Sequence, residues 1–408
     1  MNKNNENNTS TKLSAGLVPK LRFPEFVNDG EWCYPNGDEL FEPIANKNHN
    51  SDLPILAITQ DKGAVPRDMI DYHVSVTDKS VESYKVVEIG DFIISLRSFQ
   101  GGIEYSFYKG LCSPAYIILR KKINLENDFY RHYFKSVPFI RDLNRNLEGI
   151  RDGKMISYKQ FSEILIPKPK LKEQQKIASC LLSLDEVITA ENQKLEVLKD
   201  HKKGLLQNLF PQEGETVPKK RFKEFVANGV WEDKELGFLA ENLDSKRVPI
   251  TSNQREKGEI PYYGASGIID YVKEHIYDEN LLCISEDGAN LIDRNYPIAF
   301  SISGKTWVNN HAHVLKFESI YTQLLVEKYI NSIKIEGFLT GMAQPKLNRA
   351  KLDIIPIPLP KNPKEQQKIA TCLSSIDEII SAQSQKVEAL KLHKKGLLQG
   401  LFPGVNET

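Results

Sequence analysis

The sequence predicts an α+β protein: two globular domains separated by two long antiparallel coiled-coil helices, arranged as a pseudo-two-fold internal repeat. Three observations predict it. A block running Val18-Pro19-Lys20-Leu21-Arg22-Phe23-Pro24-Glu25-Phe26-Val27 and closing on Gly30-Glu31-Trp32 returns as Val217-Pro218-Lys219-Lys220-Arg221-Phe222-Lys223-Glu224-Phe225-Val226, closing on Gly229-Val230-Trp231. A longer block starts at Glu173-Gln174-Gln175-Lys176-Ile177-Ala178 and ends at Leu209-Phe210-Pro211. It returns in unbroken register from Glu365-Gln366-Gln367-Lys368-Ile369-Ala370 to Leu401-Phe402-Pro403. Both long blocks also carry a sustained heptad of apolar residues, the signature of a coiled-coil face. Self-similarity at this spacing reads as domain, helix, domain, helix.

Size and composition agree with two cores. The chain has 408 residues, 40% of them hydrophobic, enough for two ordinary cores and too much for one comfortable domain. No run of eighteen apolar residues exists, so no membrane-spanning helix is expected. The Asn-rich start has no apolar stretch or cleavage pattern and reads as a disordered tail rather than a secretory signal. The five cysteines are scattered and lack CxxC spacing, which fits a reduced, cytoplasmic protein better than a disulfide scaffold or a zinc site. A formal net charge of zero argues against a protein that simply coats nucleic acid; a local basic patch remains compatible with it.

Between the matched blocks the copies share an outline without sharing detail. A strand at Ala115-Tyr116-Ile117-Ile118-Leu119 precedes a helical stretch around Phe129 to Leu143. A strand at Ala312-His313-Val314-Leu315 precedes one around Gln323 to Ile333. Each domain closes on a proline-punctuated strand, Ile164-Leu165-Ile166-Pro167 and Ile354-Ile355-Pro356-Ile357-Pro358, and proline places such strands at edges or ends. Much of the rest has no visible match between the copies, including Gln254 to Asn290. The expected boundaries are a tail at 1–17, domains at 18–168 and 212–360, helices at 169–211 and 361–403, and a tail at 404–408.

The first seam runs Ile177, Leu181, Leu184, Ile188, Glu191, Leu195, Leu198, Lys202, Leu205, Leu209. The second runs Ile369, Leu373, Ile376, Ile380, Gln383, Val387, Leu390, Lys394, Leu397, Leu401. Polar residues interrupt both at the same places, where they cost stability and fix register or orientation. Asn362, Pro363 and Glu365 predict a clean start with a capping box for the second helix; Lys170 and Leu171 predict a looser start for the first. At ~1.5 Å per residue each rod is roughly 55–60 Å long. A seam of this kind alone describes a plain bundle or zipper equally well.

These features together resemble the specificity (S) subunit of type I restriction–modification systems, across nearly the whole chain from about Pro19 to Pro403. The most specific parts are the paired Glu-Gln-Gln-Lys-Ile helices that end in Leu-Phe-Pro. In the second domain, Tyr262 to Gly267, Glu286 to Asn290, Trp307 to His313 and Ala343 to Leu347 are similar to motifs of the family's target-recognition domains. In the first, Ser95 to Ile103 and Ser113 to Tyr116 have the similar part. The resemblance implies two target-recognition domains, each reading half of a bipartite asymmetric site in double-stranded DNA. It also implies that the helices set the unread gap and dock two methyltransferase (M) subunits, with restriction (R) subunits joining. S-adenosylmethionine, ATP and Mg are expected on those partners, and no cofactor in this chain.

The residues themselves point to binding rather than chemistry. Ser303-Gly304-Lys305-Thr306 holds the end of a phosphate-binding loop, but Ala299 stands where its first glycine belongs. No Asn-Pro-Pro-aromatic element exists to hold a flipped adenine. His311 and His313 lack an evident third ligand, so no metal is expected. As a strand, Asn309, His311 and His313 would share a face beside Trp307 and Asn310, either hydrogen-bonding base edges or bracing the loop that does so. Tyr263 and Ser266 lie in a turn suited to a close approach to phosphate. Glu286, with Asp287, resembles an acid pair, can accept from a cytosine amino group, and otherwise forms a solvated turn. Gln344 and Lys346 suit adenine and either guanine or phosphate. In the first domain Arg97 follows the strand Asp91 to Leu96, with Ser98 and Gln100 in the same loop before Gly101-Gly102; arginine gives the commonest specific contact, bidentate to guanine. Arg151 and Lys154 form a second basic loop. Rival readings are a specificity subunit of a methylation-only or type IIB-like system, a stand-alone DNA-binding regulator, and a coiled-coil adaptor that never touches DNA.

Overall fold

The computed structural model describes residues 18–50, 52–70, 81–145, 156–341 and 344–403. The expected tails at 1–17 and 404–408, and Arg151, Lys154 and Ala343, lie outside them. The chain divides into two compact units, the first made of Met1–Glu191 with Lys386–Thr408 and the second of Asn192–Gln385. Each long helix is therefore shared, half to one unit and half to the other.

In the first unit, strands β1 (Phe41–Ile44), β2 (Phe92–Ile94), β3 (Glu104–Tyr105) and β4 (Ile117–Lys121) form an antiparallel sheet in the order β1-β4-β2-β3. Helices α1 (Asn127–Tyr133) and α2 (Val137–Arg145) follow, so the expected single helix is broken around Phe134 to Ser136. Pro138 sits in the first turn of α2, where its missing N–H costs nothing. The core is aromatic: Phe41 lies 5.4–5.6 Å from the rings of Phe92, Tyr130 and Phe134. Ile164 to Pro167 makes only an isolated bridge, Leu165 to Asn36.

In the second unit, β5 (Ala240–Asn242), β9 (Leu281–Ser285), β10 (Ala299–Ile302) and β12 (Ala312–Phe317) repeat that order as β5-β12-β9-β10, again antiparallel. A second sheet combines β6 (Lys257–Gly264), β7 (Gly267–Val272), β8 (Tyr277–Asp278) and β11 (Lys305–Val308) in the order β7-β6-β11-β8; in the first unit the antiparallel ladders of Leu56–Thr59 with Gly63–Pro66 and of Lys85–Val87 with Gly110–Cys112, joined by the parallel bridge of Ile55 to Leu111, follow the same pairing pattern. This is where the unmatched stretch after Gln254 goes. Helix α4 (Ile320–Ser332) covers the first sheet. Pro356–Leu359 pairs only with Glu232–Glu235, an edge ladder that tolerates its two prolines.

The long helices α3 (Leu171–Leu209) and α5 (Pro363–Leu401) each run 39 residues. Every seam position of both is buried or half-buried. In the first unit Ile177 and Leu181 of α3 share a core with Leu401 and Phe402, Asp185 pairs with Lys394, and Glu191 pairs with Lys386. In the second, Leu209 shares a core with Ile369 and Leu373, and Lys202 pairs with Asp377 at 2.6 Å. Within each unit the two segments thus run antiparallel, and the seam lysines answer aspartates on the facing segment.

The repeated N-terminal block has one job in both units. Arg22 donates to Glu173 at 2.8 and 2.9 Å and to the Gly30 carbonyl at 2.5 Å. Arg221 donates to Glu365 at 2.6 and 2.8 Å and to the Gly229 carbonyl at 2.5 Å. Each arginine clasps the first turn of a long helix. This corrects the expected capping box: the Glu365 carboxylate is taken by Arg221, and only the Asn362 side chain caps, accepting from the Lys364 N–H at 3.0 Å.

Candidate nucleic-acid interface

In the second unit, four separate stretches singled out in the sequence converge. β6 and β11 pair in parallel, setting Tyr262 beside Trp307 and Tyr263 beside Val308. The Tyr263 carbonyl accepts from the Asn309 N–H at 3.0 Å. The Ser285 hydroxyl donates to the Ala265 carbonyl at 2.5 Å. Glu286 N–H donates to the His311 carbonyl at 2.8 Å, and Leu347 N–H to the Glu286 carbonyl at 2.8 Å. The backbone alone therefore holds the turns at 263–267, 286–288, 309–313 and 344–347 in one patch.

A network of charge lies beneath it. Arg247 Nη1 donates to Glu286 Oε2 at 2.7 Å and to the Ala312 carbonyl at 2.8 Å. Lys346 Nζ is 3.1 Å from Glu286 Oε1. His313 lies between the Asp244 carboxylate, 2.6 Å from Nδ1, and the Leu347 carbonyl, 2.7 Å from Nε2. His311 reaches Asp287 at 2.8 Å. Burial pushes the Glu286 carboxyl up, but the hydrogen bonds from Arg247 and Lys346 and the charge at His313 outweigh it and hold the group below the usual range. Asp244 behaves alike: burial opposes ionisation, and the bond from His313 overcomes it. Asp244, Glu286 and His313 bring ligand atoms within 4.8 Å of one another. The chain's own Arg247 and Lys346 already balance those carboxylates, so the trio reads as a charge network.

The expected residues sort by exposure. Ser266, Asn310, His311, Gln344 and Lys346 face solvent, whereas Asn309 and His313 are buried. The strand expected through Asn309, His311 and His313 is interrupted, because β11 ends at Val308 in one sheet and β12 begins at Ala312 in the other. Asn309 spends its side-chain oxygen on the His311 N–H at 2.8 Å. Asn309 thereby braces the turn that presents Asn310 and His311, while His313 ties Asp244 to the Leu347 carbonyl. Glu286 is not a free acceptor, since both carboxylate oxygens are engaged. Trp307 is half-buried and donates to the Val248 carbonyl at 2.7 Å; Tyr263 is half-buried and stacks on Phe300 at 5.8 Å. Ser303 and Gly304, the latter at φ 68°, form a turn from β10 of one sheet into β11 of the other, where Lys305 and Thr306 lie, not the strand-to-helix loop that holds a phosphate.

In the first unit, Arg97 and Gln100 are exposed beside the end of β2, and Arg97 makes no ion pair with any described residue. Ser98 is corrected: it is buried, and its hydroxyl accepts from the Ser95 N–H at 2.9 Å. Residues Ser98–Gly101 form a helical turn ended by Gly102 at φ 79°. A Cβ on Gly102 would lie 1.9 Å from the Phe134 carbonyl oxygen, so only glycine fits. Sequence reasoning missed Asp244 and Arg247. An acidic and a basic residue three apart in a polar stretch look the same as a solvated loop, and no local signal separates the two.

The chain matches the family model described as the type I restriction modification DNA specificity domain twice, over residues 36–200 and 228–392. The chain belongs to that family. As a specificity subunit it is a DNA-binding, non-catalytic component. A putative type I restriction enzyme specificity subunit of Haemophilus influenzae is 37% identical over 127 residues, which span 31% of this chain and 32% of that one. The MjaVIII specificity subunit of Methanocaldococcus jannaschii is 26% identical over 361 residues, 81% of each chain. The crystal structure of the type I restriction–modification S subunit from M. genitalium shares the fold, with a TM-score of 0.59 at 16% identity over 95% of this chain and 99% of that one. No described helix of this specificity subunit is long and apolar enough to cross a membrane.

Proposed function

We propose that this specificity subunit reads a bipartite, asymmetric site in double-stranded DNA, one unit to each half. Residues 18–168 and 212–360 are the two recognition domains, and 169–211 and 361–403 the spacers that set the unread gap. The observation that carries this reading is a shared scaffold with unshared filling. Both units keep one sheet order and one arginine clasp, while the turns that would meet DNA differ in sequence between them. Arg97 and Gln100, with Arg151 and Lys154, read the first half. Ser266, Asn310, His311, Gln344 and Lys346 read the second, with Asn309, His313, Glu286, Trp307 and Tyr263 supporting them. Two M subunits dock and supply S-adenosylmethionine chemistry; R subunits bring ATP and Mg. The assembly works in the cytoplasm, where its DNA is.

Sequencing of methylated bases in the host tests the reading. The expected result is one motif in two parts, with a fixed unread gap. Inserting one heptad into α3 is expected to lengthen that gap or abolish binding while both half-site preferences persist. A single continuous motif would sink the bipartite reading; an unchanged gap with full activity would sink the role of the spacers.

A further inference from the structure

Arg247, which the sequence did not single out, meets the second unit's exposed patch at several points. Its side chain is 13% exposed. Nη1 faces Glu286 Oε2 at 2.7 Å and the carbonyls of Ala312 at 2.8 Å and Asn310 at 3.4 Å. Nε donates to the Asp244 carbonyl at 3.1 Å, and Nη2 lies 3.4 Å from Asp244 Oδ2. One planar group therefore ties the 244–247 turn to Glu286 and to both ends of the Asn310–His311 turn. The far side of that turn is held by the Asn309 side chain and by the Glu286 N–H.

We infer that Arg247 is the positioning residue that sets the Asn310–His311 turn, and through it the polar groups the second unit offers to base edges. This rests on the reading of that unit as a half-site reader. Two considerations separate it from a plain ion pair. A partner for Glu286 alone needs only one positive charge, and Lys346 already supplies one. The contacts to the two carbonyls instead fix backbone, and a planar fork does this where a single ammonium on a flexible stem does not. The consequence for recognition is specific. With both acids engaged from within, the solvent side keeps the Ser266, Asn310 and Lys346 side chains, which can all donate. Such a face suits acceptor-bearing edges such as purine N7, guanine O6 or thymine O4.

The test uses the full chain assembled with its methyltransferase subunits, scoring methylation or binding on the cognate site and on sites altered by one base in either half. Wild type comes first: if its preferences do not divide into two halves, the half-site reading itself fails, whatever Arg247 does. With wild type behaving as proposed, Arg247→Lys is expected to lower discrimination in one half-site roughly tenfold, with the other half-site and the melting temperature retained. Arg247→Met is expected to lower the melting temperature. Adding Glu286→Met is expected to restore melting, because an apolar pair replaces an ion pair at little cost, yet to leave discrimination impaired. Recovery of both properties in the double variant, intact discrimination in Arg247→Lys, or an equal loss at both halves would overturn the inference.

Discussion

Consider replacing Arg221 with methionine. The guanidinium clasps Glu365 through two hydrogen bonds at 2.6 and 2.8 Å, with side-chain exposures of 10% for Arg221 and 0% for Glu365. Removing it strands a carboxylate that water cannot reach and frees the Gly229 carbonyl. Breaking a buried pair on one side costs about 3–5 kcal/mol; about 3 kcal/mol is expected here, because the edge of the guanidinium still meets solvent. The double variant Arg221→Met with Glu365→Leu removes both charges, leaves an apolar contact in their place, and is expected within about 1 kcal/mol of wild type. Hydrogen exchange on the assembled protein reads this locally, at residues 217–231 and at the start of α5, with the first unit as internal control. Arg22→Met, facing Glu173, is expected to behave alike in the other unit. A double variant as costly as the single one would refute the reasoning, since the arginine would then act through shape rather than by answering a charge.

Other outcomes follow from features already described. Phe402→Ala removes a fully buried ring packed 5.2 Å from Phe129 and 5.6 Å from Tyr133; it is expected to cost about 3–5 kcal/mol and to raise exchange in the first unit, and equal rises in both units would count against it. Arg97→Ala is expected to relax one half-site by about 1–3 kcal/mol of discrimination, whereas an equal loss at every sequence would make Arg97 a phosphate contact. Burial pushes His132 down to about 3, helped by the charges of Lys394 and Arg131 and opposed by Asp185. The folded ring thus binds its proton more weakly than the unfolded one, so this group withdraws stability as pH falls from the ordinary histidine range toward 3, by up to about 1.4 kcal/mol per pH unit. His132→Gln is expected to flatten the loss between pH 6.5 and 5, measured by melting; identical slopes for variant and wild type would rule this out.

What could be seen in the sequence depended on the range of the interaction. The heptad seams are local and periodic, and all their positions are buried or half-buried. Even the polar breaks were legible as positions, although not that Lys202 and Lys394 would each answer an aspartate on the facing segment. The capping box at Asn362 and Glu365 satisfied the local rule and still failed, because its glutamate is claimed by an arginine 144 residues earlier. Alternation predicts one strand through Asn309, His311 and His313, because it cannot register a chain leaving one sheet for another. Arg247 and Asp244 were invisible because their partners, Glu286, His313 and the Ala312 carbonyl, come together only after two sheets have formed. Of the residues expected at the interface, those that stayed exposed lie in turns; those on strands became its support.

The shared helices also order events in time. Leu401 and Phe402 belong to the same core as Trp32, Phe129 and Tyr133, so the unit translated first cannot finish folding until the chain has been made as far as Phe402. Asn192–Gln385 is complete earlier and can consolidate as it emerges. Until the end of α5 arrives, the first unit's aromatic core stands open to water where Leu401 and Phe402 belong. A polypeptide whose synthesis stops short of Phe402 would keep one complete unit and one whose aromatic core lacks its last ring.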